Sequence, residues 1–196
     1  MTSASAPVSD LTLQELAEDP FAAYAAIRSL GRVVWVPALG RYAITRYDDI
    51  VAMDRRPQTS STRDMSSPMV RSLGDMLMSK DGPPHRRERA AIVPSLRPRV
   101  IVDDWAPVFQ RNADHLINGF VERGAVELDS AFGSRLAARN LADLLGLRGI
   151  EDETMLRWAR AIVAGCGNYA QDEEVWLRND AARGQITEAV AEVVAH

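Results

Sequence analysis

Cysteine is almost absent from this sequence, since Cys166 is the only one among 196 residues. A single cysteine excludes an internal disulfide, and such sparse usage is typical of proteins in a reducing compartment. Lysine is equally rare, with Lys80 alone beside 22 arginines, and 27 acidic residues bring the formal net charge to −4. Neither sign of charge forms a tail, so we expect a cytoplasmic protein with no nucleic-acid partner.

Long apolar runs are also missing. No stretch approaches the roughly 18 apolar residues that a membrane span needs, and the first residues, MTSASAPVSD, lack the basic start and apolar centre of a secretion signal. We therefore expect no membrane association. Hydrophobic residues make up 46% and charged residues 26% of the chain, which is typical of a globular protein.

Several catalytic motifs are absent as well. The sequence has no Gly-x-Ser-x-Gly elbow and no glycine-rich phosphate loop with a lysine, which argues against hydrolase and kinase chemistry. His115 and His196 form no ligand spacing with Cys166 or with a pair of carboxylates. No zinc or iron site made of protein ligands is therefore predicted.

The hydrophobic spacing predicts a mainly α fold with one small antiparallel β-hairpin. The hairpin consists of VVWV (33–36) and RYAIT (41–45) on either side of PALG. Helices are expected over 19–31, from an Asp48 cap to Met53, and over 84–93, 105–124, 132–147, 151–164 and 173–195, with a brief strand at AVEL (125–128). Residues 58–80 are expected to form a loop with one short helical piece.

The domain organisation predicted from these patterns is a loose arm over 1–18 and one partial domain over 19–196. The last helical pattern, AVAEVVAH, keeps its period to the final residue without a glycine, a proline or a capping signal. We therefore expect the chain to be part of a longer protein.

The residues that best suggest chemistry are His85 and Arg89, four positions apart on the predicted helix over 84–93. This spacing places both side chains on one face, about one turn apart. Five arginines lie between residues 85 and 99, beside apolar Ala91, Ile92 and Val93. Such a helix could hold a dicarboxylate, although a solvated arginine-rich helix would have the same spacing.

The wider string DGPPHRRERAAIVPSLRPR (81–99) resembles the cytochrome P-450 pattern Asp-x-Pro-x-His-x-x-x-Arg, which opens the third major helix of that family. The segment from Asp19 to Thr62 is similar to the family's first helix, first hairpin and second helix, and ADLLGL (142–147) resembles the end of its fifth helix. Gly82 stands where the family often has a proline. The resemblance implies the N-terminal part of the cytochrome P-450 fold, soluble bacterial type.

By this resemblance, His85 and Arg89 are expected to bind the propionates of heme (iron protoporphyrin IX). The family's Glu-x-x-Arg pair and its acid-threonine pair do not occur in the sequence, so no catalytic residue is assigned. Cys166 is not expected to ligate iron, because Ala159, Ile162 and Asn168 stand where the family's ligand loop has Phe, Gly and Gly.

Residues 62–80 occupy the place of the family's variable loop over the substrate. Flexible thioethers suit a pocket wall that can repack, and the candidate substrate contacts in this segment are Met65, Met69, Met76 and Met78. Methionines that fill gaps beneath a loop are the alternative.

The expected function is that of a fragment of a heme-thiolate monooxygenase. In its complete form it would insert one oxygen atom from O2 into a small organic substrate, with electrons from a ferredoxin- or flavodoxin-type donor. Two alternatives remain: a catalytically silent remnant, and a helical module that binds a small anionic ligand through its arginine-rich helix.

Overall fold

The computed structural model describes residues 7–56, 61, 64–147 and 149–195. Internal contacts divide the chain into two compact units, residues 1–62 and residues 63–196. The physical reason for this division is that the buried side chains form two separate apolar clusters, one in each unit. The single partial domain over 19–196 stays a prediction.

The first unit contains the predicted first helix and hairpin. Asp19 caps helix α2 (Pro20–Leu30), because its carboxylate accepts a hydrogen bond from the amide of Ala22 at 3.0 Å. Strand β1 (Val34–Val36) pairs antiparallel with β2 (Arg41–Ala43). The hairpin turn is a 3₁₀ turn followed by Gly40 at φ 62°, a left-handed conformation that suits glycine. Ile27 and the two valines of β1 form the apolar cluster.

Regular structure in the first unit begins before the predicted first helix: Val8 forms a bridge with Trp35, and α1 (Leu13–Glu18) begins with a capping box between Thr12 and Glu15. The loose arm over 1–18 stays a prediction. Residues 1–6 lie outside the described residues. Helix α3 (Tyr47–Asp54) begins one residue before Asp48, so Asp48 lies in its first turn and is not its cap.

The described part of the second unit contains helices and connecting segments but no strand. Its helices are α4 (Pro68–Leu73), α5 (Gly82–Ile92), α6 (Pro98–Val100), α7 (Ala106–Asn118), α8 (Ser134–Leu145), α9 (Asp152–Cys166) and α10 (Glu173–Val194). Within the described residues, no helix of either unit is long and apolar enough to cross a membrane.

Most predicted helix ends in the second unit are confirmed. Pro94 lies in a 3₁₀ turn (Val93–Leu96) that ends α5. Gly146, at φ 72°, ends α8, and the amide of Leu147 donates to the carbonyl of Ala142 at 2.8 Å, as in a Schellman motif.

The strand predicted at AVEL (125–128) is wrong, because residues 125–127 have no regular structure and residue 128 is already helical. A strand needs a partner, and the described part of this unit contains no other strand. The long helix predicted over 105–124 has other bounds. A π-helical turn (Ile101–Trp105) joins α6 to α7 at its start, and α7 ends at Asn118, before a separate 3₁₀ turn (Val121–Arg123) that precedes Gly124.

The core of the second unit lies among α8, α9 and α10, with Trp158, Met155 and Ala182 among its buried members. The indole of Trp158 donates to the side-chain oxygen of Gln185 at 2.7 Å, which joins α9 to α10. By contrast, no residue between Ser79 and Leu116 is buried. Helix α5 therefore stands on the surface of this unit.

Candidate cofactor-binding site

Helix α5 places His85 and Arg89 on one face. Gly82 begins the helix at φ 63°, and Pro83 and Pro84 follow in the first turn, where no amide donor is needed. The side chain of His85 is half-buried and that of Arg89 is exposed. Their spacing of four residues separates them by about one helical turn.

The charges around this pair leave both side chains available for an anion. Glu88 is the only acid in α5, and its carboxylate accepts a hydrogen bond from Lys80 Nζ at 2.5 Å. This hydrogen bond raises the pKa of Lys80. Neither His85 nor Arg89 has a hydrogen bond or ion pair with any residue that the structure describes.

The surface next to this pair is apolar. Ile92, Val93 and Leu96 are 47%, 42% and 44% exposed at the end of α5 and in the turn that follows. A histidine and an arginine offer donors to two carboxylates, and apolar side chains beside them offer contact to a flat ring. This donor set is chemically compatible with the propionates of heme, and binding of heme by His85 and Arg89 stays a prediction.

Cavities elsewhere in the described residues have volumes of about 420, 440, 520 and 720 Å³, and neither His85 nor Arg89 lines them. Neither residue therefore belongs to any of these four cavities.

The structure separates the four methionines proposed as substrate contacts. Met65, which is 60% exposed, lines the cavity of about 420 Å³ between α4 and the start of α10. Met69 lies in α4 and Met76 precedes a 3₁₀ turn (Leu77–Ser79), both half-buried, and Met78 is 52% exposed. These three do not line that cavity. Substrate contact remains a prediction for all four.

Two other residues that line this cavity, Arg71 and Trp176, were not predicted from the sequence. The guanidinium of Arg71 lies over the ring of Trp176, 3.9 Å from the ring centre. The indole N–H of Trp176 is buried without a hydrogen-bond partner among the described residues. Because the two residues lie far apart in the chain, no local spacing could have predicted their contact.

Cys166 is the last residue of α9, with a free and half-buried thiol. Its neighbours in sequence are Gly165 and Gly167, so it sits at a helix end. The described residues contain no group of three or more His, Cys, Asp or Glu side chains that could hold a metal ion. The prediction that Cys166 is not an iron ligand stays a prediction.

The cavity of about 720 Å³ lies along α9 and α10, where Trp158 and four alanines are among the lining residues. The cavities of about 520 and 440 Å³ share Arg135 and Glu153. Asp152 and Arg139 line the cavity of about 520 Å³. The two carboxylate oxygens of Asp152 accept hydrogen bonds from Arg139 Nε at 2.8 and 2.9 Å. Neither cavity brings together nucleophile and base side chains in an arrangement that suggests catalysis.

Comparison with known proteins identifies relatives over most of the chain. It is 25% identical over 80% of its length to pulcherriminic acid synthase of Bacillus subtilis, covering 38% of that protein. It is 24% identical over 81% of its length to the methyl-branched lipid omega-hydroxylase of Mycobacterium tuberculosis, covering 39% of that protein. It is also 25% identical over 79% of its length to the putative cytochrome P450 YjiB of Bacillus subtilis, covering 38% of it. No protein-family model matches the chain.

A solved structure shows the same fold. The crystal structure of P450BioI in complex with hexadec-9Z-enoic acid ligated acyl carrier protein matches with a TM-score of 0.69 and 18% sequence identity, covering 87% of this chain and 46% of that chain. The chain thus spans less than half the length of the proteins it matches. It is a relative of the cytochromes P-450 and has the N-terminal part of their fold, mainly α with one small antiparallel hairpin.

Proposed function

We propose that this chain forms the N-terminal part of a heme-thiolate monooxygenase, which inserts one oxygen atom from O2 into a small organic substrate. Its relatives include an omega-hydroxylase, to which it is similar over 81% of its length. The observation that carries the proposal is the pair His85 and Arg89, one turn apart and without an acidic partner among the described residues. A ferredoxin- or flavodoxin-type electron donor and a cytoplasmic location belong to the same proposal.

In this proposal His85 and Arg89 hold the two propionates. When bound, heme supplies the iron chemistry that activates O2 in this family. The guanidinium of Arg89 can donate two hydrogen bonds to one carboxylate, and the imidazole of His85 can donate one to the other. The exposed apolar side chains Ile92, Val93 and Leu96 would shield the ring from water. The segment over 64–79 would cover the substrate, with Met65 beside Arg71 and Trp176 at one cavity.

Heme titration of the 196-residue chain tests the propionate assignment. We expect Arg89→Ala to weaken heme binding at least about tenfold, because a charge-assisted hydrogen bond is worth roughly 1.5–3 kcal/mol. Arg87→Ala is the matched control, since Arg87 is an exposed arginine two residues from His85, on the other side of α5. Absorbance of the bound heme gives the dissociation constant for each variant.

A second experiment uses the dimethyl ester of heme, because esterification removes the charge of the propionates and leaves the ring intact. We expect the wild-type chain to prefer free heme over the ester, and His85→Ala with Arg89→Ala to remove that preference. Equal affinities of the wild-type chain for heme and its ester, or equal effects of Arg87→Ala and Arg89→Ala, would rule out the assignment.

The same complexes test Cys166. We expect the reduced, carbon monoxide-bound form to lack the absorption of a thiolate complex, and Cys166→Ala to leave the spectrum unchanged. A thiolate spectrum that disappears in Cys166→Ala would show that this cysteine binds the iron.

A further inference from the structure

A buried polar contact joins three helices of the second unit. Asn179 of α10 and Ser72 of α4 are both 0% exposed, and Asn179 Nδ2 donates to Ser72 Oγ at 2.6 Å. Ser72 Oγ in turn donates to the carbonyl of Ile162 in α9 at 2.9 Å. One hydroxyl therefore accepts from α10 and donates to α9, which uses both of its hydrogen-bonding functions.

The space for this contact exists because residue 165 is glycine. A Cβ added at Gly165 would lie 2.5 Å from Asn179 Nδ2, 2.8 Å from Ser72 Oγ and 2.9 Å from Asn179 Cγ. All three atoms belong to the two hydrogen-bonded side chains. Gly165 lies inside α9, where glycine costs helix stability relative to alanine, so its presence is explained by the side chains that it admits.

One hydrogen-bonding atom of this contact has no partner in the described part of the chain. Asn179 Oδ1 is buried and has no hydrogen-bond partner among the described residues, and burial of an unpaired acceptor costs free energy. An apolar pair of similar size would avoid that cost. The amide and the hydroxyl fix one orientation between the helices, whereas an apolar contact there would tolerate sliding.

Helix α4 has six residues, too few to be stable alone, so its position depends on contacts with its neighbours. Pro68 and Val70 are buried, the guanidinium of Arg71 lies over the ring of Trp176, and Arg183 Nη1 of α10 donates to the carbonyl of Arg71 at 3.1 Å. Ser72 is the residue of α4 whose side chain is hydrogen-bonded to both α9 and α10. It therefore fixes the orientation of α4 against both helices.

We propose that Ser72, Asn179 and Gly165 form a latch that sets the position of α4 and of the surrounding segment over 64–79 relative to α9 and α10. Opening of this segment requires the hydrogen bond between Asn179 and Ser72 to break. Its significance for substrate entry rests on the proposed function, but the latch itself does not. Ser72 and Asn179 are positioning residues, since they act through α4.

Hydrogen exchange of the 196-residue chain without heme or substrate tests the latch. In Ser72→Ala, we expect the amides of Arg71 and Gly74, which bond to the carbonyls of Ser67 and Val70, to exchange about tenfold faster. The amide of Leu147, which follows α8 and donates to the carbonyl of Ala142 in that helix, is expected to keep its wild-type exchange rate. Equal acceleration at all these amides, or none at Arg71 and Gly74, would overturn the latch.

Gly165→Ala provides an independent test of the geometry. We expect it to accelerate exchange in α4 in the wild-type background, and to have little effect in Ser72→Ala with Asn179→Ala, where the three atoms nearest to the new Cβ have been removed. Gly184→Ala is the matched control, because a Cβ at that position of α10 meets nothing within 4 Å. If Gly165→Ala has the same effect in both backgrounds, the latch geometry is wrong. These measurements use no heme, so failure of the proposed function leaves their outcome unaffected.

Discussion

Arginines in the second unit differ in what they contact. Arg139 donates to both carboxylate oxygens of Asp152, and Arg135 contacts Glu153 at 2.6 Å. The side chain of Arg89 has no such contact within the described residues, and the neighbouring Glu88 accepts instead from Lys80. A guanidinium that stays exposed costs little free energy, so the absence of a partner is tolerated until an anion binds.

Gly82 is the residue at which the chain departs from the family's frequent proline. Its φ of 63° is closed to proline, whose ring fixes φ near −65°, so this helix start has its own backbone geometry.

We expect Gly82→Ala to lower the free energy of unfolding by about 1–2 kcal/mol, because an L-residue is strained in the left-handed region. Urea denaturation measures the change. Gly184→Ala, in open space inside α10, should stabilise the chain by about 0.5–1 kcal/mol instead. Equal stability changes in the two variants would contradict the assigned backbone conformation.

Several helix ends were predictable from the sequence, because a local residue causes each of them. Asp19 before Pro20, Gly146 before Leu147 and Pro94 after α5 mark boundaries that the structure contains. The contact of Ser72 with Asn179 has no such local cause, since it joins residues 107 positions apart. The failed strand at AVEL shows the same limit, because β-propensity alone does not provide a pairing partner.

The same distinction applies to the candidate site. The spacing of His85 and Arg89 on one helix was predictable from the sequence. The hydrogen bond that Lys80 donates to Glu88, eight residues away, was not, because it depends on how the chain folds before α5. Arg71 and Trp176 were not predictable, because their contact depends on the packing of α4 against α10.

In the first unit, Arg32 forms an ion pair with Asp49 in the first turn of α3. The hydrogen bond from Arg32 lowers the pKa of Asp49. A carboxylate with a lowered folded-state pKa stabilises the fold above its unfolded pKa, about 3.9, and loses this contribution as pH falls through the folded value.

We therefore expect wild type and Asp49→Asn to differ in stability above about pH 4 and to converge in stronger acid. Amide signals of residues 34–43, followed by NMR in a denaturant series at each pH, report on this unit. Asp48→Asn, at the adjacent position of the first turn, is the control. A difference that persists unchanged in strong acid would show that the ion pair is not its cause.

Between α8 and α9, the carboxylate of Asp152 contacts both Arg135 and Arg139 of α8. Only 11% of the Asp152 side chain is exposed. It also lies in the first turn of α9, where a negative charge is favourable. We expect Asp152→Asn to destabilise the second unit by about 1–3 kcal/mol in thermal denaturation, because hydrogen bonds to a charged group are lost.

Glu153→Gln is the comparison for Asp152→Asn. Its side chain is 59% exposed and accepts from Arg135, so we expect a loss below about 1 kcal/mol. A loss of stability as large as that of Asp152→Asn would mean that burial does not make the pair of Arg139 with Asp152 stronger than the pair of Arg135 with Glu153.

At the scale of the whole molecule, each unit exposes large apolar side chains. Phe21 is 84% exposed in the first unit, and Val102, Val163 and Leu177 are 66%, 69% and 65% exposed in the second. Exposed apolar surface favours association.

We expect the 196-residue chain to self-associate as its concentration rises, and sedimentation velocity would measure this. If apolar surface is the cause, association should strengthen on warming from ice temperature to room temperature, and added salt should not weaken it. Association that dissolves in salt would point to the charged side chains instead.

The stretch between Ser79 and Leu116 has a consequence for mutational tolerance. Since none of its side chains is fully buried, folding of the second unit places few demands on its exposed positions. A saturation mutagenesis screen that selects only for folding would accept most replacements at Ile92, Val93 or Leu96. A screen that also selects for heme binding would show which of these positions the cofactor constrains.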